Sequence, residues 1–119
     1  MLPWYARQAI SIIHPSLHTE RGTERRDYDD PASTVAVGGC ILEPEDSLDV
    51  NGATFHGYHL MAPTEIVVDY QRVPVALDTW DVIEYAGRRF QVDGDPIRVE
   101  GPLVENNYFD VHLKGWSYA

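Results

Sequence analysis

Hydrophobic residues in this chain recur at every second position, in short runs separated by turn-forming residues. Trp80, Val82 and Glu84 alternate with Asp81, Ile83 and Tyr85, and after Ala86-Gly87 the residues Phe90 and Val92 alternate with Arg89 and Gln91. A period of two is that of a half-buried strand, so the stretch predicts a hairpin. The expected connection is a three-residue loop, with Tyr85-Ala86 at the centre of a type I turn and Gly87 left-handed. That register pairs Glu84 with Arg88, Val82 with Phe90 and Trp80 with Val92, and it gathers Trp80, Val82, Phe90 and Val92 on one face. A two-residue Ala-Gly turn is disfavoured, because alanine at the first central position suits neither primed turn.

The same pattern extends over most of the chain. Ala6 to His14 reads as a strand closed by Pro15, and its β-branched content argues against a helix. Ser16 to Pro31 is polar, with a turn expected at Arg21-Gly22 and a short edge strand over Thr23 to Tyr28. It predicts a solvated arm or loop. Ser33 to Leu42 is a strand interrupted at Gly38-Gly39, where a bulge or bend is expected. Glu43-Pro44-Glu45-Asp46-Ser47-Leu48-Asp49 carries four acids and no base, and with the turn signal Asn51-Gly52 it reads as an exposed acidic loop over residues 43–52. Ala53 to Met61 is a further strand, and Glu65 to Val75 is one bent strand or two short ones, kept from a central position by Pro74. Asp93-Gly94-Asp95-Pro96 breaks the sheet, a loop runs to Asn107, and Tyr108 to Trp116 returns with Phe109, Val111 and Leu113 on one face. No amphipathic helix, repeat or low-complexity tract is evident. The fold class is all-β: one domain over residues 1–119, a small antiparallel barrel or sandwich of about six to eight strands with long polar loops.

Composition narrows the function more than the fold. Nineteen acids against nine bases give a formal net charge of -10, the wrong sign for a protein that grips phosphate backbones. Arg25-Arg26 and Arg88-Arg89 are local exceptions, each better read as a solvated face than as a nucleic-acid patch. Cys40 is the single cysteine, so no intrachain disulfide and no thiolate zinc site can form, and a buried inert thiol is expected. No apolar run approaches the ~20 residues that span a bilayer, and no export signal is recognised at the N-terminus. The expectation is a soluble intracellular protein with no membrane partner.

Candidate chemistry is sparse. His56 and His59 are the first pair to test for a metal, but residues three apart on a strand point to opposite faces. His14, His18 and His112 add no ligand spacing. Asp93-Gly94-Asp95 lacks the spaced oxygens of a calcium loop and is better explained as a turn. Glu43 and Glu45 lie in a segment too wet to separate two carboxyl pKa values. Nucleophile elbows, phosphate-cradling glycine loops and HExxH motifs are absent. No active site, metal or cofactor is therefore expected, and the chain reads as a non-enzyme. Core packing accounts most simply for Trp80 and Phe109, whereas Trp4 and Trp116-Ser117-Tyr118 lie outside the clearest strands and suit a partner surface.

The order of these features resembles the head-to-tail stopper, or head-completion, proteins of long-tailed phages, especially those of actinobacteria. The residues that carry the resemblance are Arg7-Gln8-Ala9-Ile10-Ser11-Ile12-Ile13, Gly39-Cys40-Ile41-Leu42-Glu43-Pro44, Tyr58-His59-Leu60-Met61-Ala62-Pro63, Asp81-Val82-Ile83-Glu84-Tyr85-Ala86-Gly87 with Phe90-Gln91-Val92-Asp93-Gly94-Asp95-Pro96, and Phe109-Asp110-Val111-His112-Leu113-Lys114. The segment from Glu65 to Asp78 departs from the pattern by its length, as an inserted hairpin would. The resemblance implies a barrel subunit of a homo-oligomeric ring, a dodecamer, in the virion neck between the portal with its adaptor and the tail terminator. The ring would close the DNA channel after packaging and gate it at ejection, with the subunits made in the host cytoplasm. An acidic lumen lets the duplex slide without binding it, so Glu43, Glu45, Asp46 and Asp49 are the channel-loop candidates. Trp4, Arg25, Arg26, Trp116 and Tyr118 are the interface candidates. The alternatives are a tail terminator or other tail-tube ring protein and, from a different class, a carbohydrate- or small-ligand-binding β-sandwich.

Overall fold

The computed structural model describes residues 7–44, 48–50, 53–55, 57–101 and 107–115, and among them there are strands and turns but no helix. In chain order the strands are β1 (Gln8–His14), β2 (Ser16–Glu20), β3 (Thr23–Asp27), β4 (Ser33–Pro44), β5 (Leu48–Val50), β6 (Ala53–Phe55), β7 (Gly57–Pro63), β8 (Glu65–Val68), β9 (Gln71–Pro74), β10 (Val82–Tyr85), β11 (Arg88–Val92), β12 (Ile97–Val99) and β13 (Tyr108–Gly115).

Six of these close into an antiparallel barrel, in the order β10-β1-β4-β7-β13-β11 and back to β10. β13 makes the closure. Its first half pairs with β12 and its second half with β11, so both neighbours lie on one of its edges while β7 takes the other. Closure removes the open edges that a sandwich would leave. The interior is filled by Ile10, Ile12, Val37, Cys40, Leu60, Ala62, Ile83, Phe90, Val92, Val111 and Leu113 in one cluster. Burial of each large aliphatic side chain contributes about 1.5–3 kcal/mol, which lets the barrel hold without a disulfide. Val75 and the half-buried Ile66 and Leu77 pack against this core, anchored by the Val75 amide donating to the Thr64 carbonyl at 2.8 Å. The Tyr58 and Phe90 rings meet at 4.7 Å, with the Arg88 guanidinium 5.6 Å and 5.4 Å from their centres.

The bulge expected at Gly38-Gly39 is present. Ile10 pairs with Val37 but Gln8 pairs with Cys40, so one extra residue of β4 is accommodated, and Gly39 takes a φ of 70°.

The β10–β11 hairpin has the other register. Val82 pairs with Gln91, Ile83 with Phe90, Glu84 with Arg89 and Tyr85 with Arg88, across a two-residue turn in which Ala86 and Gly87 both take positive φ (52° and 79°). Tertiary packing overrides the turn preference, because this register places Ile83 beside Phe90 inside the barrel. Val82 is not left exposed by the switch. It is fully buried on the outer face beside its cross-strand neighbour Ile13, on the other side of β10 from the main core cluster. The chain returning from β3 is tied across this side. Tyr28 donates its hydroxyl to the Trp80 carbonyl at 2.7 Å, and the Ala32 amide donates to the His14 carbonyl at 2.9 Å.

Trp80 is also corrected: it is no core residue but is half-exposed, with Arg26 stacked on its ring at 3.6 Å. β2–β3, β5–β6 and β8–β9 are three separate two-stranded sheets outside the barrel. β3 falls in the edge strand expected over Thr23 to Tyr28, β6 in the strand expected from Ala53, and β8 and β9 are the two short strands expected between Glu65 and Val75, whereas β2, β5 and β12 arise where loop was expected.

Candidate interaction surfaces

The β8–β9 hairpin presents an exposed apolar surface. It turns at Asp69-Tyr70, both at positive φ (51° and 65°), and pairs Glu65 with Pro74, Ile66 with Val73, Val67 with Arg72 and Val68 with Gln71. Val67 is 70% exposed and Tyr70 fully so, with Val68 and Val73 also exposed. Of the two readings offered for Glu65 to Val75, the two short strands are the one found, off the barrel as Pro74 requires, and alternation left the choice open because the turn lacks glycine, proline or asparagine. The β2–β3 hairpin adds exposed Leu17, and turns at Arg21-Gly22 as expected.

An open groove of about 590 Å³ lies at the foot of these two arms. Its apolar lining is Leu17, Val75, Leu77, Trp80 and Phe109, and its polar lining includes His14, Arg26, Asp78 and Asp81. Asp81 is nearly buried and fully engaged. One carboxylate oxygen lies 2.8 Å from His14 Nδ1, and the other accepts the Asp78 amide at 2.8 Å. Here the His14–Asp81 pair joins β1 to the turn that precedes β10, and among the described residues lining the groove there is no serine or cysteine for such a pair to activate.

The outer face of β4, β7 and β13 carries a second polar cluster. Glu43, His59 and His112 stand side by side across the three strands, since Glu43 pairs with His59 and His59 with His112. His59 directs Nε2 at Asp110 and has Nδ1 3.7 Å from Glu43, while its ring stacks on His112 at 5.5 Å. Both His59 nitrogens therefore face carboxylates, and the imidazole bridges two strands. Among the described residues no three His, Cys, Asp or Glu side chains are grouped to hold a metal ion, and His56 lies outside those residues.

The expected channel residues do not share one loop. Glu43 is near the end of β4, exposed but in the ladder, and Asp49 is on β5, paired with Thr54 in the β5–β6 hairpin. The acidic segment is thus a strand end followed by a hairpin. Glu45 and Asp46 lie outside the described residues, as do the interface candidates Trp4, Trp116 and Tyr118. Arg25 and Arg26 are on β3, opposite His18 and Leu17, and Arg26 reaches Trp80. No helix among the described residues is long and apolar enough to cross a membrane. Comparison of the chain with protein-family models, with curated proteins and with solved structures finds no match.

Proposed function

We propose that the chain is a structural subunit of a phage neck: a head-to-tail stopper that forms a ring between the portal with its adaptor and the tail terminator. One observation carries this reading. The barrel is filled by its own side chains, whereas the hairpins outside it present Leu17, Val67, Val68, Tyr70 and Val73 to solvent. Apolar side chains collected on arms outside a self-sufficient core fit a subunit whose arms are covered by neighbours. The net charge of -10 suits a ring through which duplex DNA slides without being held. Glu43, Glu45, Asp46 and Asp49 face or approach the channel in this reading, and Arg25, Arg26, Trp4, Trp116 and Tyr118 serve neighbour and partner contacts. The work is mechanical and not enzymatic, performed in the virion by a subunit made in the host cytoplasm.

The test is assembly. Purified protein mixed with portal–adaptor complexes of the same phage should add a ring beneath them in electron micrographs, and intact particles should contain this chain in the neck. Absence from the neck of intact particles would reject the reading. A tail-tube ring protein would instead be found below the neck. The groove beside half-exposed Trp80 favours a small-ligand-binding module as the second reading. That module would stay monomeric and change its tryptophan fluorescence with ligand.

A further inference from the structure

We infer that the β8–β9 hairpin tip of one subunit docks in the groove between β2–β3 and residues 75–81 of the next, a head-to-tail contact between copies of this chain. The inference rests on the ring reading and names the surfaces that would build the ring. Three observations lead to it.

The first is apolar complementarity within one molecule. The tip offers Val67, Val68 and a fully exposed Tyr70, and the groove offers Leu17 and Trp80, each about half exposed, over a floor of Val75 and Phe109. The second is charge. Asp69 at the tip has no cationic partner among the described residues, and Arg26 at the groove has no carboxylate partner there. The Arg26 guanidinium carbon lies 3.6 Å from the centre of the Trp80 ring, a cation–π contact that itself supplies no carboxylate for its N–H donors. The third is geometry. A hairpin arm of four paired residues reaches roughly 13 Å at about 3.3 Å per residue, so the tip stands away from its own foot at Thr64 and Val75. Val75 also lines the groove.

Tip and groove are different surfaces, so the contact is heterologous and each copy both gives and receives. Such contacts propagate and close into a ring when the rotation permits.

Disulfide trapping tests this directly, because native Cys40 is fully buried in the barrel, away from both surfaces. A chain carrying both Tyr70→Cys and Leu17→Cys, oxidised at high concentration, should give a ladder of linked dimers, trimers and larger species. Tyr70→Cys alone should stay unlinked, and a mixture of the two single variants should stop at dimers. Adding Asp69→Arg should weaken the ladder at least several-fold, and a compensating Arg26→Glu should restore it. Dimers from Tyr70→Cys alone would mean tip-to-tip pairing and would overturn the proposal. So would association seen by sedimentation without any ladder, which leaves the ring reading standing on other surfaces. No association and no ladder at millimolar protein overturns the docking as well, and assembly on portal complexes then decides the ring reading separately.

Discussion

The carboxamide of Gln8 engages both peptide groups of Leu42: its Nε2 donates to the Leu42 carbonyl at 3.1 Å, and its Oε1 accepts the Leu42 amide at 2.6 Å. Gln8 itself pairs with Cys40, so the side chain continues the β1–β4 ladder beyond the bulge at Gly39. Removing this clasp by Gln8→Ala leaves a partly buried donor and acceptor unpaired, and should cost about 1–3 kcal/mol. Gln8→Glu should also destabilise at neutral pH, since a carboxylate cannot donate to the carbonyl. Urea unfolding followed by circular dichroism measures both. Stabilities equal to that of the native chain would show that water replaces the clasp without loss.

The β10–β11 turn stores strain at one position. Ala86 sits at a φ of 52°, where an L-residue with a Cβ is disfavoured by about 1–2 kcal/mol. Ala86→Gly should therefore stabilise the hairpin by up to about 1 kcal/mol, after allowing for the extra freedom of glycine in the unfolded chain. Gly87→Ala should do the opposite by a similar amount, although nothing lies within 4 Å of the added Cβ. If Ala86→Gly lowers the thermal midpoint, the turn is not the one described.

Core and arm should respond differently to truncation. Leu60, fully buried in the barrel, should cost about 2–5 kcal/mol when changed to alanine. Val67→Ser and Tyr70→Ser, at the exposed hairpin, should shift the stability of the isolated subunit by no more than about 0.5 kcal/mol. A large loss from Tyr70→Ser in the isolated subunit would mean that the tip folds back on its own chain.

Two groups set the response to alkali. Burial pushes the Cys40 thiol up to about 12, and burial raises the Tyr28 hydroxyl, with nearby Arg26 opposing the shift. In both cases the folded state favours the neutral form. Their contribution to stability is complete below the unfolded-state values, near 9.0 for the thiol, and is lost as pH rises towards the folded ones. Denaturant midpoints should accordingly fall above pH 9. Native protein at pH 8 should not react with an aromatic disulfide reagent, whereas unfolded protein should consume one equivalent. Fast reaction of the native thiol would place Cys40 at the surface.

How much of this was legible in the sequence depends on which force decided each element. β1, β4, β7 and β13 follow from alternation because one face is core and the other is wet, as Ile10, Ile12, Leu60, Val111 and Leu113 illustrate. The glycine pair announced its bulge for a reason equally local. β10 was misjudged in register because Val82 and Ile83 are both buried, so alternation carries no information there, and the choice is made by Phe90 inside the barrel. β12 is three residues held by the edge of β13, too short for any period to register. Among candidate surfaces, Glu43 and His59 were each singled out but not together, since only strand pairing brings them side by side across 16 residues of chain. Trp80 falls on the core face only in the three-residue-loop register, so its misplacement follows from that register, and the fold puts Arg26 over it.

The double use of β13's one edge carries a kinetic consequence. Because β11 and β7 meet only through this strand, a nascent chain that has exposed everything up to residue 107 still has two unsatisfied edges flanking an incomplete core. Synthesis of β13 would then mark the moment when these two edges are paired and the barrel's backbone stops being sticky, while the exposed apolar side chains of the hairpins keep their adhesive character.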